Sequence, residues 1–279
     1  MVQEIKTKEY FYKQLMNDIQ DNRFFIIVTG YNCEAFVKKC YDSIMKQTYS
    51  NYHFIFNDDR STDFTLQTIQ DIGIKDWQSN DLNMGAAYSR HHIINYYADE
   101  NDIILFLGMD DELLPNALER INEEYKQGKL MTYGNWYNQF GEGLPLSFNL
   151  DFTEQTHKER NYRQVTYRST APNTFRKFLY NCIKEEDLKL THDIEVNGQF
   201  AKAGTWFNCC TEGEVMFSCL EQCGKERIGI IRDYIYLYNE STAALGYNNH
   251  NGTLRRFGRE FKYRVLDQIR AKPKRELWQ

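Results

Sequence analysis

Short apolar runs and helical patterning alternate over the first half of the chain. FFIIV (Phe24–Val28), HFIFN (His53–Asn57) and IILFL (Ile103–Leu107) are runs of strand length. Such continuous apolar runs fit strands buried on both faces. Between the first two, Ala35, Phe36, Val37, Cys40, Tyr41, Ile44 and Met45 recur on one face of a helix. The same reasoning predicts helices over about 64–72 and, after the polar SNDLNMG, over about 86–97. Tyr10, Phe11, Leu15, Met16 and Ile19 predict a short amphipathic helix within residues 1–22, to which no chemistry attaches. The alternation as a whole predicts an α/β fold built on a mostly parallel, doubly wound sheet. In such sheets ligands bind outside the carboxyl ends of the strands.

Those strand ends are polar. The first runs into Thr29-Gly30-Tyr31-Asn32, the second into Asp58 through Asp63, and the third, after Gly108, into Asp110, Asp111 and Glu112. Adjacent carboxylates repel, and a divalent cation carrying a phosphate is their simplest neutraliser. Mg²⁺ or Mn²⁺ takes oxygen ligands, often one or two carboxylates plus substrate phosphates. The plainer reading is that Asp110 or Asp111 caps a helix starting near Leu113–Pro115. Convergence of Thr29, Tyr31, Asp59 and Asp110/Asp111 on one crevice favours the cation. Tyr31 is placed to stack on a base, an interaction of roughly 1–3 kcal/mol, or else packs under its loop. Asp59 can accept from a base N–H and ribose hydroxyls, and Thr62 or Asp63 suits the start of the next helix. Arg90, on the helix after Asn83-Met84-Gly85, suits a pyrophosphate, with a surface salt bridge as the alternative.

Composition narrows the class. The 279 residues are 42% hydrophobic and 26% charged, an ordered globular balance. No apolar run approaches the length of a membrane span, and the first residues carry no signal-peptide core. Seven cysteines without paired CxxC knuckles predict reduced thiols, no zinc site and a cytoplasmic location. The net charge of −5 is uneven: from Thr253 to Gln279 nine Lys/Arg face three acids, a +6 tail that leaves −11 on the remainder. A basic end on an acidic body points to a polyanionic partner, unless it is a solvated amphipathic helix.

TGYN at 29–32, KKCYDSIMKQTYSNYHFIFNDDRSTD at 38–63, NMGAAYSR at 83–90 and LFLGMDDELLP at 105–115 together resemble the nucleotide-binding half of the family 2 glycosyltransferases. These are inverting enzymes of the GT-A (nucleotide-diphospho-sugar transferase) fold. The resemblance covers about residues 23–135. It implies that Thr29, Tyr31 and Asp59 bind the uridine and that Arg90 approaches the diphosphate. Asp110 would lie toward the sugar or ribose, Asp111 would ligate Mn²⁺ or Mg²⁺, and Glu112 would belong to the following helix. The acids here read M-D-D-E rather than D-x-D, so the ligand assignment shifts by up to one residue. The segment at 198–224 resembles the family's second acidic motif and places Glu212 as catalytic base, with Glu214 the alternative. A base must take the acceptor hydroxyl's proton as it attacks C1 opposite the departing diphosphate. His192, Asp193 and Trp206 are candidates for the acceptor side, and His250, in the loop YNNHNG, for the metal and diphosphate end.

The predicted organisation is a helix at 1–22, a sugar-nucleotide half at 23–150, an acceptor half at 151–240 and a basic segment at 241–279. Residues 151–189 interleave His157, Lys158, Arg160, Arg163, Arg168, Arg176 and Lys177 with Tyr162, Tyr167, Phe175 and Phe178. With Arg255 and Arg256 of the tail, this composition fits phosphate contact and base stacking. The composition of the whole chain, with many Lys, Asn, Tyr, Phe and Ile and few Pro and Ala, also resembles that of large lytic phages. Together with the length, this is similar to the phage DNA-modifying glucosyltransferases, a resemblance that implies transfer of glucose from UDP-glucose onto the α-glucose of hydroxymethylcytosine in phage DNA, giving a β-linked diglucoside. The rival acceptor is a bacterial capsule or lipopolysaccharide glycan, reached by a basic tail on an anionic membrane surface. A non-catalytic sugar-nucleotide or DNA-binding module is the rival of another class. Nucleotidyl transfer would want a Gly- and Lys-rich phosphate loop after the first strand, which TGYNCEAF lacks.

Overall fold

The structure, a computed structural model, describes residues 22–138, 140–143, 150–196, 199–239 and 258–278. Apart from Asn22, the helix expected over 1–22 lies outside the described residues. An eight-stranded sheet forms the centre. Its strands are β1 (Phe24–Gly30), β2 (Tyr52–Asp58), β3 (Trp77–Ser79), β4 (Ile103–Gly108), β5 (Glu112–Leu113), β6 (Met131–Asn138), β7 (Thr174–Arg176) and β10 (Ile228–Tyr238). They lie in the order β3-β2-β1-β4-β7-β6-β10-β5, and β8 (Ile194–Val196) with β9 (Gln199–Ala201) forms a separate hairpin. The β1–β2, β1–β4, β2–β3 and β6–β10 pairs are parallel. Strands β7 and β5 enter antiparallel.

Side chains alternate between the two faces, as strand geometry requires. Phe25 and Ile27 of β1 and Ile104 and Phe106 of β4 join one core; Phe24, Ile26, Val28, Ile103, Leu105 and Leu107 join the other. The second core is covered by helices α1 (Val37–Met45), α2 (Thr65–Ile72) and α4 (Ala117–Lys126). The first is covered by α3 (Ala86–Tyr97), α7 (Gly213–Cys223) and α8 (Gly258–Arg270). Two short helices, α5 (Glu154–Glu159) and α6 (Lys177–Tyr180), lie between β6 and α7 in the chain. Burying such a side chain contributes about 1.5–3 kcal/mol, so the central strands form a firm base for the polar residues at their ends.

Two expectations change. The helix expected near Leu113 begins at Ala117, and Glu112 belongs to β5, opposite Leu237. Asp110 and Asp111 precede a strand and cap no helix. The sheet also crosses the boundary expected at 150, because β7 inserts between β4 and β6. The basic, aromatic stretch around β7 is largely interior: Tyr162, Phe175, Phe178, Arg163, Arg176 and Lys177 are buried. Arg176 sits 5.1 Å from the Tyr125 ring and donates to the Asn101 carbonyl at 2.8 Å.

Candidate active site

Parallel register sets Thr29 at the end of β1 opposite Gly108 at the end of β4. Both line a cavity of about 470 Å³, within the usual size of small-ligand sites. The rest of its wall comes from Asn83, Gly85, Ala86 and Arg90 around the start of α3, the loop Asn208–Glu212 with Gly213 at the start of α7, Tyr167, Tyr238, and Lys262 and Leu266 of α8. Asp110 completes it.

Two carboxylates fold back over Gly108. A Cβ there would stand 2.7 Å from Asp111 Oδ2 and 2.8 Å from Asp110 Oδ1, so the residue must be glycine for both acids to converge. Asp110 opens on the cavity, while Asp111 is 6% exposed. The Tyr236 hydroxyl donates to Asp111 Oδ2 at 2.6 Å, and the Asn239 N–H donates to Oδ1 at 2.8 Å. Burial, then the neighbouring Asp110 charge, pushes the Asp111 carboxyl well above its ordinary range, against the two hydrogen bonds. A cation over Gly108 would relieve that repulsion. Among the described residues no three metal-ligating side chains come together. A divalent ion here would therefore rest on this pair and on substrate phosphates, with Asp110 the ligand that faces the crevice.

Asp59 is not open to a base. It is 4% exposed; Oδ1 accepts from the Asn80 amide at 2.7 Å and the Met84 N–H at 2.8 Å, and Oδ2 accepts from the Gly85 N–H at 2.7 Å. Gly85 turns at φ +84°, a conformation that favours glycine. Asp59 thus shapes the loop that delivers Asn83 and Gly85 to the wall. Beside it, Asp63 Oδ1 accepts from the Thr65 N–H at 3.0 Å, in keeping with a role at the start of α2.

Arg90 joins two parts of the cavity wall. It is 7% exposed, lies 4.5 Å from the Phe106 ring, and donates to Glu212 Oε1 at 2.9 Å and Thr211 Oγ1 at 3.2 Å. The Asn173 amide donates to Glu212 Oε2 at 3.1 Å. Both carboxylate oxygens of Glu212 are therefore oriented, while its side chain stays 35% exposed to the crevice. Glu214, two residues on, is fully buried and outside the wall. It accepts from Arg163 at 2.7 and 3.2 Å, Arg275 at 3.2 Å and Ser218 at 2.9 Å. Arg163 also grips Glu221 at 2.8 and 3.1 Å. Glu214 belongs to a buried ionic clamp on α7, so a catalytic role has no route to substrate.

The structure thus brings Thr29, Arg90, Asp110 and Glu212 together. Tyr31, just past β1, is half-buried and outside the cavity wall. His192 and Asp193 are exposed, and Asp193 Oδ1 accepts from the Ala203 N–H at 2.7 Å. Trp206 packs against Tyr88 and His91, with ring centroids 5.3 and 5.5 Å apart, two residues before the lining Asn208. His250, Arg255 and Arg256 lie outside the described residues. Sequence reasoning missed Asn208, Cys209, Cys210, Lys262 and Leu266. Their only signal was proximity to Glu212 or membership of the basic tail.

The family model for glycosyl transferase family 2 matches residues 25–188. The chain belongs to this family. Its sheet and helices have the GT-A fold, shared with S. aureus TarS 1–349 in complex with UDP-GlcNAc. That likeness has a TM-score of 0.53 and 17% identity, covering 78% of this chain and 58% of that one. The mannosyltransferase PcManGT from Pyrobaculum calidifontis, in complex with GDP-Man and Mn²⁺, is similar with a TM-score of 0.53 and 12% identity. There the coverage is 97% of this chain and 74% of that one. A relative in Escherichia coli, UDP-Glc:alpha-D-GlcNAc-diphosphoundecaprenol beta-1,3-glucosyltransferase WfgD, is 33% identical over 115 residues, 40% of this chain and 44% of that protein. Teichoic acid poly(glycerol phosphate) polymerase of Staphylococcus epidermidis is 33% identical over 110 residues, 37% of this chain and 15% of that protein. The chain spans less than half the length of these two relatives. Among the described residues no helix is long and apolar enough to cross a membrane.

Proposed function

We propose that this member of the family is an inverting hexosyltransferase that moves glucose from UDP-glucose to a hydroxyl of a glycan acceptor, with Mn²⁺ or Mg²⁺ bound. The observation that carries the reading is Glu212, held on both oxygens at the wall of a crevice that also contains Asp110 and Arg90. Glu212 takes the acceptor proton while the hydroxyl attacks C1 from the face away from the diphosphate. Asp110, backed by Asp111, would hold the cation, which supplies Lewis-acid neutralisation of charge on the leaving group. Arg90 has a buried Nε–H without a partner among the described residues. A buried orphan donor costs about 1–3 kcal/mol, and a diphosphate oxygen would satisfy it. The buried Oδ1 of Asn208 also lacks a partner and suits a sugar hydroxyl.

The acceptor reading rests on the crevice edge and on the relatives. Trp206, Tyr88 and His91 offer aromatic area with polar edges beside Asn208, chemistry that suits a sugar ring. The E. coli relative is named for a diphosphoundecaprenol-linked sugar, and the staphylococcal one for a teichoic acid. A DNA acceptor draws less support. Arg270, Lys272 and Lys274 of the tail donate to backbone carbonyls, and Arg275 pairs with Asp187 and Glu214.

The test is UDP release from UDP-glucose with Mn²⁺ or Mg²⁺, alone and with lipid-linked glycans or α-glucosylated hydroxymethylcytosine DNA. Slow release alone and faster release with a glycan are expected. Absence of release in every arm beside a UDP-glucose-induced rise in melting temperature would leave the chain a non-catalytic sugar-nucleotide module. Faster release with DNA alone would replace the glycan acceptor.

A further inference from the structure

Two adjacent cysteines line the crevice immediately before Thr211 and Glu212. Cys209 is 5% exposed and Cys210 half-buried, and both belong to the cavity wall. They are consecutive in the chain, so both side chains leave neighbouring Cα atoms on the same wall. The Cys210 thiol also donates to the Lys262 carbonyl of α8 at 3.8 Å. Cys210 lies in the left-handed region at φ +52°, so the chain turns sharply between the two side chains. The other five cysteines are elsewhere: Cys33, Cys40, Cys219 and Cys223 are buried and Cys182 is half-buried, none in this wall.

The two thiols are electrostatically unequal. The adjoining Cys209 thiol lowers the Cys210 thiol against burial and the Glu212 charge, and the Lys262 and Arg270 charges add to the lowering. The same contact and burial push Cys209 up. Burial likewise raises Cys33, Cys40, Cys219 and Cys223. Thiolate character and access decide which cysteine reacts, and here both point to Cys210, with Cys209 next in the chain to resolve the product.

We propose that Cys209 and Cys210 form an oxidisable dithiol, which a peroxide converts to a bridged disulfide that disables the crevice. The Cys210 thiolate attacks one peroxide oxygen, the O–O bond breaks, and the other oxygen leaves as water after taking a proton. The Cys209 sulfur then attacks the sulfur of the resulting Cys210 sulfenic acid, the S–O bond breaks, and the hydroxyl departs as a second water with the Cys209 proton as the S–S bond forms. The two thiols give up two electrons and two protons, and hydrogen peroxide takes up both. Consecutive Cα atoms are about 3.8 Å apart, closer than the roughly 4.4–6.8 Å of ordinary disulfides. Closure therefore moves the backbone at 209–210. That movement passes to Thr211 and Glu212, the two side chains Arg90 holds, and draws the Cys210 sulfur off Lys262.

Hydrogen peroxide treatment followed by peptide mapping tests this directly. The expected product has lost the mass of two hydrogens, with the bridge in the one peptide that carries both residues. UDP release should fall by about 10- to 100-fold, the scale of a small catalytic misplacement, and dithiothreitol should restore it. Phenylarsine oxide gives an independent reading, since it bridges two neighbouring thiols with loss of one water. Its adduct should map to the same peptide, yield to a dithiol and resist a monothiol. With Cys210→Ser, neither bridged product should form there. A bridge or adduct mapping elsewhere, or an adduct persisting in Cys210→Ser, would overturn the dithiol. A correctly placed bridge that leaves UDP release unchanged would overturn the disabling effect. If untreated protein releases no UDP, the transferase reading fails, while the mapping still decides the dithiol; a bridge that left a UDP-induced melting shift intact would then refute the disabling.

Discussion

Replacing Glu212 by Gln, and separately Glu214 by Gln, should split turnover from stability within three residues of chain. The Glu212 side chain is 35% exposed and its ion pair with Arg90 lies at the crevice wall. The side chain of its partner Arg90 is only 9% exposed, but the Gln amide oxygen can still accept from it. The loss should fall between the about 0–1 kcal/mol of an open pair and the about 3–5 kcal/mol of a buried one, so Glu212→Gln should lower the melting temperature less than Glu214→Gln. Loss of a general base, however, costs roughly 10²–10⁴ in rate, equivalent to about 3–5 kcal/mol of transition-state stabilisation. Glu214 presents the reverse balance. It is fully buried and shared between Arg163 and Arg275. Neutralising one member of a buried pair destabilises by about 3–5 kcal/mol. Here Arg163 keeps Glu221 at 2.8 Å and Arg275 keeps Asp187 at 2.8 Å, which places the loss at the lower end, about 3 kcal/mol. For a chain of this size that lowers the melting temperature by roughly 6–12 °C. Thermal melts and UDP release at saturating UDP-glucose, below the transition of either variant, read the two effects. Loss of turnover in Glu214→Gln at an unchanged melting temperature, with Glu212→Gln still active, would refute the reasoning and shift the base by two residues.

The paired acids give two further expected outcomes. The raised Asp111 carboxyl makes the folded state hold its proton more tightly than the unfolded chain. Its contribution to stability is therefore complete below the unfolded value of about 3.9 and is lost as pH rises through the higher folded value. Melting temperatures from pH 4 to 7 should show this decline, and Asp111→Asn should flatten it; an unchanged slope would remove Asp111 as its source. In Gly108→Ala, the new Cβ collides with both carboxylates, at 2.7 and 2.8 Å. The variant should lose about 1–3 kcal/mol, the range for overpacking, and should no longer melt higher with added Mn²⁺. A wild-type-sized Mn²⁺ effect would show that the cation does not bind over Gly108.

The central sheet was legible because its signal is local. Phe24–Val28 and Ile103–Leu107 are buried on both faces, and continuous apolar runs report that condition directly. The polar residues at those strand ends were legible for the same reason, since parallel register carries Thr29 to Gly108 without further information. What each acid does there was not legible. Asp59 and Asp111 both read as open ligands, yet their oxygens are taken by loop N–H groups and by Tyr236, partners 21 to 128 residues away. The cap reading failed on similar grounds: Glu112 pairs across to Leu237, and no local pattern announces a two-residue strand.

The second half of the chain was misread because charge and aromatic content do not say which way a side chain faces. Arg163, Arg176 and Arg275 suggested a polyanion surface, but each is consumed inside the molecule, by Glu214 and Glu221, by the Asn101 carbonyl, and by Asp187 and Glu214. Those ion pairs have a consequence for the site. Arg163 and Arg275 tie α7 to the segments before and after it, and α7 begins immediately after Glu212. Asn173, beside β7, and Arg90, on α3, then orient the carboxylate itself. The position of one crevice side chain thus depends on four residues outside α7, Arg90, Arg163, Asn173 and Arg275. A buried ionic cluster is poor evidence for net stability, but several charged groups that need one another's geometry can hold the start of a helix in a single place. Here that helix start carries the carboxylate on which the proposed chemistry depends.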